Sequence, residues 1–119
     1  MDVGAKLQLK PGQTIAVVAR PAGIKMDLPD GVTGVADPGD ADVVVVFLLN
    51  QEALAALATP AVEAARADRL AWVAYPKGGQ LGTDLNRDRL VSLMSDKGVQ
   101  PVRQVAIDDT WSALRFRPA

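Results

Sequence analysis

Asp42-Val43-Val44-Val45-Val46-Phe47-Leu48-Leu49-Asn50 decides the fold. Seven consecutive apolar residues, five of them Val or Phe, are too few to cross a membrane, which needs about twenty. They are the right length for a strand. A strand with one face in water alternates apolar and polar residues, and this one does not. The run therefore predicts a strand buried on both faces, the usual place of a strand in a parallel sheet with helices on each side.

Outward from this strand, the neighbouring elements follow by local signals. Asn50 is suited to cap a helix whose apolar positions are Ala53, Leu54, Leu57 and Ala58. Thr59-Pro60 marks a fresh start, with Pro at a first helical position, so a break and a second helical piece to about Ala67 are expected. Leu70 to Tyr75 is the next strand, stopped by Pro76. After the loop from Lys77 to Gly82, Thr83 or Asp84 is expected to cap a helix carrying Leu85, Leu90, Leu93 and Met94, ending at Gly98. Upstream, Lys10-Pro11-Gly12 is a turn before a strand over Thr14 to Ala19. Arg20-Pro21-Ala22-Gly23 ends that strand, and Val32 to Ala36 is a short second one. Val102 to Ile107 and Thr110 to Phe116, joined at Asp108-Asp109, form an antiparallel hairpin. The expectation is one α/β domain over residues 1–119, with a mostly parallel, Rossmann-like sheet, a C-terminal antiparallel hairpin and helices on both faces.

Composition bounds the chemistry. The chain has 119 residues, no His and no Cys, and a formal net charge of −1. Histidine bases, Ser-His-Asp triads, thiolate nucleophiles and the usual zinc sites are excluded. The charge gives no field for nucleic acid or an acidic membrane. The first six residues lack a basic stretch followed by an apolar core, so no signal peptide is read and a cytoplasmic location is expected. Twelve Asp against two Glu point to acids used in caps and turns.

Two stretches carry candidate sites. Lys77, Gly78, Gly79, Thr83 and Asp84 lie between the end of a strand and a helix, where open α/β sheets bind ligands. The glycines free backbone N–H groups and Lys77 adds a charge, which suits a small anion. The order of a phosphate loop is absent, and the plain alternative is a flexible loop. Asp84 and Asp88 share a helix face but read more simply as solvated charges, so no metal is expected. Asp37-Pro38-Gly39-Asp40-Ala41-Asp42 reads as a turn and not a calcium loop, lacking the spacing and the closing Glu.

The second stretch is the terminal hairpin, Asp108, Asp109, Trp111, Arg115 and Arg117. On an alternating strand Ser112, Leu114 and Phe116 share one face and Trp111, Ala113, Arg115 and Arg117 the other. A Trp–Arg surface would suit a protein partner or self-association. The plain alternative packs Trp111 inside, with the arginines paired to Asp108 or Asp109.

Trp72-Val73-Ala74-Tyr75-Pro76-Lys77, Thr83-Asp84-Leu85 and Ile107-Asp108-Asp109-Thr110-Trp111-Ser112-Ala113-Leu114-Arg115-Phe116 together resemble an uncharacterised bacterial domain family. Leu9-Lys10-Pro11-Gly12 and Asp42 to Phe47 extend the resemblance over nearly the whole chain. Trp-x-x-Tyr-Pro-Lys and Asp-Asp-x-Trp-Ser are its most specific parts, and it implies no catalytic residue. The layout is also similar to Rossmann-like methyltransferases. Those carry an acidic, glycine-rich turn after strand one, where this chain has Ala19-Arg20-Pro21-Ala22-Gly23, so no cofactor is expected. The leading expectation is a small non-enzymatic binding or interaction domain. The alternatives are an anion-binding domain using the loop from Lys77 to Thr83, and an enzyme of unrecognised type using Lys77, Tyr75 or Asp84.

Overall fold

Val43–Phe47 is a strand with all five side chains buried. In the computed structural model, which describes residues 3–119 apart from Lys25 and Asp27, it is the third of six strands in one mixed sheet. The elements run α1 (Val3–Lys6), β1 (Thr14–Val18), β2 (Thr33–Gly34), β3 (Val43–Phe47), α2 (Gln51–Leu57), α3 (Thr59–Arg66), β4 (Leu70–Pro76), α4 (Arg87–Ser95), β5 (Val99–Ala106) and β6 (Trp111–Pro118). Across the sheet the order is β2-β1-β3-β4-β6-β5. β2, β1, β3 and β4 are parallel. β6 is antiparallel to both β4 and β5, so the terminal hairpin closes the sheet with β5 at its edge. No described helix is long and apolar enough to cross a membrane.

The strand is buried on both faces by different means. Val44 and Val46 join Leu54, Ala61, Ala64, Ala65, Leu90 and Met94 in one core, under α2, α3 and α4. Val43, Val45 and Phe47 join Leu7, Leu9, Ile15, Ile24, Trp72, Ile107 and Trp111 in the other. The expectation of helices on both faces is thus corrected. All three longer helices lie on the first face. The second is covered by Leu7 and Leu9, in the segment after the single-turn α1, and by the irregular chain beyond β1, which carries Ile24. Pro21, Gly23, Pro29 and Gly31 keep that chain from forming a helix. Buried strands require a cover, and an irregular one whose apolar side chains point inward serves as well as a helix.

The small residues of α3 allow close contact. Ala61, Ala64 and Ala65 are buried, and Pro60 starts the helix where its missing N–H costs nothing. Asn50 caps α2 by accepting from the Ala53 N–H at 2.8 Å. At the opposite end of the sheet Asp42 and Thr14 clasp β3 to β1. The Asp42 carboxylate accepts from the Thr14 N–H at 2.9 Å, and the Thr14 hydroxyl accepts from the Asp42 N–H at 3.0 Å. Asp37 accepts from the Gly39 N–H in a 3-10 turn, so the acid-rich stretch before β3 is a turn, as read.

Candidate functional site: a cationic cleft at the carboxyl end of the sheet

β4 leaves the sheet at Pro76 and the chain turns sharply. The Gln80 N–H donates to the Lys77 carbonyl at 2.8 Å and the Thr83 N–H to the Gln80 carbonyl at 3.0 Å. Gly79 and Gly82 take φ of 80° and 68°, the left-handed region that glycine enters without strain. The Thr83 hydroxyl accepts from the Leu85 N–H at 3.0 Å. The Asp84 carboxylate accepts from the Gln51 N–H at 2.8 Å, and its carbonyl accepts from the Gln51 side chain at 3.2 Å. Helix α4 then starts after Asn86, whose side chain accepts from the Arg89 N–H. The expected caps Thr83 and Asp84 therefore give way to Asn86. Thr83 closes the loop, and Asp84 serves the first turn of a different helix, α2.

Lys77 and Gly78 line an open cleft of about 570 Å³, together with Tyr75, Arg87, Gln104, Val105, Ala106 and Ser112. Of the five loop candidates, these two reach the cleft, and Gly79, Thr83 and Asp84 build the loop instead. The sheet register sets the floor. Tyr75 on β4 stands opposite Ser112 on β6, which stands opposite Ala106 on β5. The small side chains of Ser112 and Ala106 leave the space. Ser112 is the one buried polar residue among those described. Its hydroxyl donates to the Val105 carbonyl at 3.1 Å and accepts from the Gln104 amide at 3.4 Å. Gln104 in turn accepts from Arg87 Nε at 3.1 Å. The guanidinium is thereby oriented by a neutral side chain. Asp88 lies 3.8 Å from it, with both side chains largely in water, a contact worth little. Among the described residues the Lys77 ammonium has no hydrogen-bonding or ionic partner, and no carboxylate lines the cleft.

The two motif pieces singled out in the sequence meet here. Tyr75 pairs with Ser112 and Pro76 with Trp111, and the Lys77 N–H donates to the Thr110 carbonyl at 2.8 Å. Lys77 was legible from its place after a strand. Arg87 and Gln104 were not read as site candidates, and Ser112 entered only through the Asp-Asp-x-Trp-Ser piece. A signal existed for Ser112, a polar residue on the apolar face of Leu114 and Phe116.

The hairpin candidates have other roles. Trp111 is 6% exposed and packs edge-on against Phe47, ring centres 5.4 Å apart. It is therefore not a surface anchor. Arg115 is partly buried beside Gln8 at 3.4 Å. Arg117 pairs with Asp68 at 3.2 Å, both half-exposed, and neither arginine pairs with Asp108 or Asp109. Asp109 is exposed. Asp108 accepts from the Thr110 and Trp111 N–H groups at 2.8 and 2.7 Å and so fixes the turn. Asp108→Ala leaves the second of these donors without its side-chain partner beside a buried ring. It is expected to cost about 1–3 kcal/mol, read as a lower urea midpoint at unchanged slope. Among the described residues no group of three or more acidic side chains gathers to hold a metal.

No protein-family model and no curated protein matches the sequence, and the cleft geometry is the ground for a functional reading.

Proposed function

We propose that this chain is a small ligand-binding domain that takes an anion, a phosphate or a carboxylate group, into the cleft between Lys77 and Arg87. One observation carries the reading: two cationic side chains from separate segments line one concavity that no carboxylate enters. Asp88, 3.8 Å from Arg87, lies out in water and compensates it only weakly, and Lys77 has no ionic partner among the described residues, so a bound anion supplies charge compensation that the cleft itself lacks. Gln104, Ser112 and Tyr75 add neutral groups able to orient the rest of such a ligand. The position supports the same reading, because β4 and β5 both point their carboxyl ends at it, where α/β sheets bind ligands. The sheet order β2-β1-β3-β4 is compatible with a Rossmann-like reading. The resemblance to the uncharacterised bacterial family fits too, since its two most specific pieces border this cleft. We read the domain as non-enzymatic and cytoplasmic. Asp84, one of the groups an enzyme reading would use, is engaged with α2.

The test is a thermal melt at low ionic strength with inorganic phosphate and with a small dicarboxylate. A ligand at 100 times its Kd stabilises by about 2.7 kcal/mol, which raises the Tm of a chain this size by about ten degrees. Lys77→Ala and Arg87→Ala are each expected to weaken binding about tenfold or more, as loss of a charge-assisted hydrogen bond does. Both side chains are at the surface, so the melting of the unliganded variants is expected to stay near the parent's. If neither anion raises the Tm, or if both variants bind as the parent does, the reading fails.

A further inference from the structure

A second concavity lies where the order of the sheet reverses. From β1 the chain passes to β2 on one side, and β3 lies on the other. The first connection covers one face of the sheet and the connection through α2 and α3 covers the opposite face. Such a divergence opens a crevice outside the carboxyl ends of the two strands. Here it is a pocket of about 330 Å³ lined by Ala19, Pro21, Phe47, Leu49, Ala53, Leu57, Leu81 and Trp111. Every lining residue is apolar. Phe47 and Trp111 meet at 73°, so the pocket is bordered by two rings at nearly right angles. Leu49 and Leu81 are 43% and 59% exposed.

Backbone strain collects at the same place. Among the described residues four other than glycine have positive φ, and two of them, Ala19 at 60° and Leu81 at 54°, line this pocket. A leucine held in the left-handed region costs about 1–2 kcal/mol, and an exposed one returns little by burial. Strain of this kind persists where the surroundings use it.

We infer that this pocket binds a flat, uncharged aromatic ligand, distinct from the anion of the cationic cleft and held by other residues. The volume is at the lower end for small-molecule pockets, which suits a one- or two-ring body. Rings pack well against aromatic neighbours, edge to face or offset. A second copy of the chain is the poorer occupant. Two partly exposed leucines fall far short of the roughly 800 Å² per partner that a stable interface needs.

The probe is 6-propionyl-2-(dimethylamino)naphthalene, neutral, flat and two-ringed, whose emission moves to the blue in apolar surroundings. One saturable site per chain is expected. Ala53→Phe, on α2, fills the pocket and is expected to weaken binding about tenfold or more. Leu81→Asn removes a wall and is expected to weaken it about threefold or more. Leu81 is exposed and Asn tolerates its backbone conformation, so that variant is expected to melt no lower than the parent. Sedimentation of the free chain is expected to show a monomer. The inference is overturned if the probe does not saturate, if both variants bind it like the parent, or if the chain is a dimer that excludes it. Lys77→Ala is expected to leave probe binding unchanged, which separates this site from the cleft.

Discussion

Val45→Asp is expected to leave the chain unfolded at neutral pH and to recover part of its stability as the pH falls. Val45 is fully buried, between β1 and β4 in the sheet. Its side chain faces the core that holds Trp72 and Phe47. The side chains grouped with it there are apolar, and the unpaired donor among them, the Trp72 indole Nε1, is a single neutral group that does not replace the hydration of a carboxylate. An Asp at this position therefore folds only in its neutral form. Taking up a proton at pH 7 against an ordinary pKa of about 3.9 costs about 4 kcal/mol. Losing the buried valine adds about 1.5–3 kcal/mol. Their sum is comparable with the whole stability of a domain, about 5–15 kcal/mol. The sign of the pH dependence follows from the raised folded-state pKa. The protonation penalty is absent below the unfolded pKa, near pH 4, and grows as the pH rises above it. Val45→Asn, uncharged and of similar size, carries no such dependence. Urea melts by circular dichroism at pH 4.5 and 7, each against the parent, read the difference. Ala55→Asp, on the exposed side of α2, is the control and is expected to lose under about 1 kcal/mol. A parent-like midpoint for Val45→Asp at pH 7, or a deficit that does not shrink at pH 4.5, sinks the account.

Why this strand was legible and its surroundings only in part is a matter of range. An unbroken apolar run is a local signal, and burial on both faces follows from it whatever covers them. The break between α2 and α3 is also local, because Thr59-Pro60 cannot continue a helix without loss. The hairpin was legible from its short link, with both strands running somewhat past the read limits to Val99 and Pro118. What failed was non-local. Asp84 sits where a local cap would sit, yet its carboxylate is taken by the Gln51 N–H, 33 residues away. The cover of the second face was misread because β-branched burial was equated with flanking helices. The cleft shows the same limit. Lys77 follows a strand and can be picked from sequence. Gln104 and Ser112 reach Arg87 through a cross-strand register and a helix start, and neither spacing is written in the chain. Trp111, an arresting residue in sequence, turned out to be a packing residue whose ring edge borders an apolar pocket.

Trp72 offers the second large effect, and it divides into two opposing parts. The residue is fully buried at the centre of the face covered by irregular chain. It lies opposite Val45 on one side and Arg115 on the other. Trp72→Ala removes the largest fully buried side chain and leaves a void that this cover can close only in part. The expected loss is about 3–5 kcal/mol. Because β4 carries Tyr75 and Lys77 to the cleft, anion binding should fall with it. Trp72→Phe is different. The indole Nε1 is buried with no hydrogen-bond partner, and an orphaned donor costs about 1–3 kcal/mol. Phenylalanine removes that cost while leaving a smaller void, so the two effects nearly cancel and the net loss is expected to stay below about 1.5 kcal/mol. Trp111 remains in both variants as a fluorescence reporter, beside circular dichroism, in urea melts. The ordering decides the matter. If Trp72→Phe loses as much as Trp72→Ala, the indole donor has a partner and the packing account of this face is wrong. If Trp72→Ala loses less than about 1 kcal/mol, the irregular cover collapses freely onto the sheet, and burial there fixes neither β4 nor the cleft it positions.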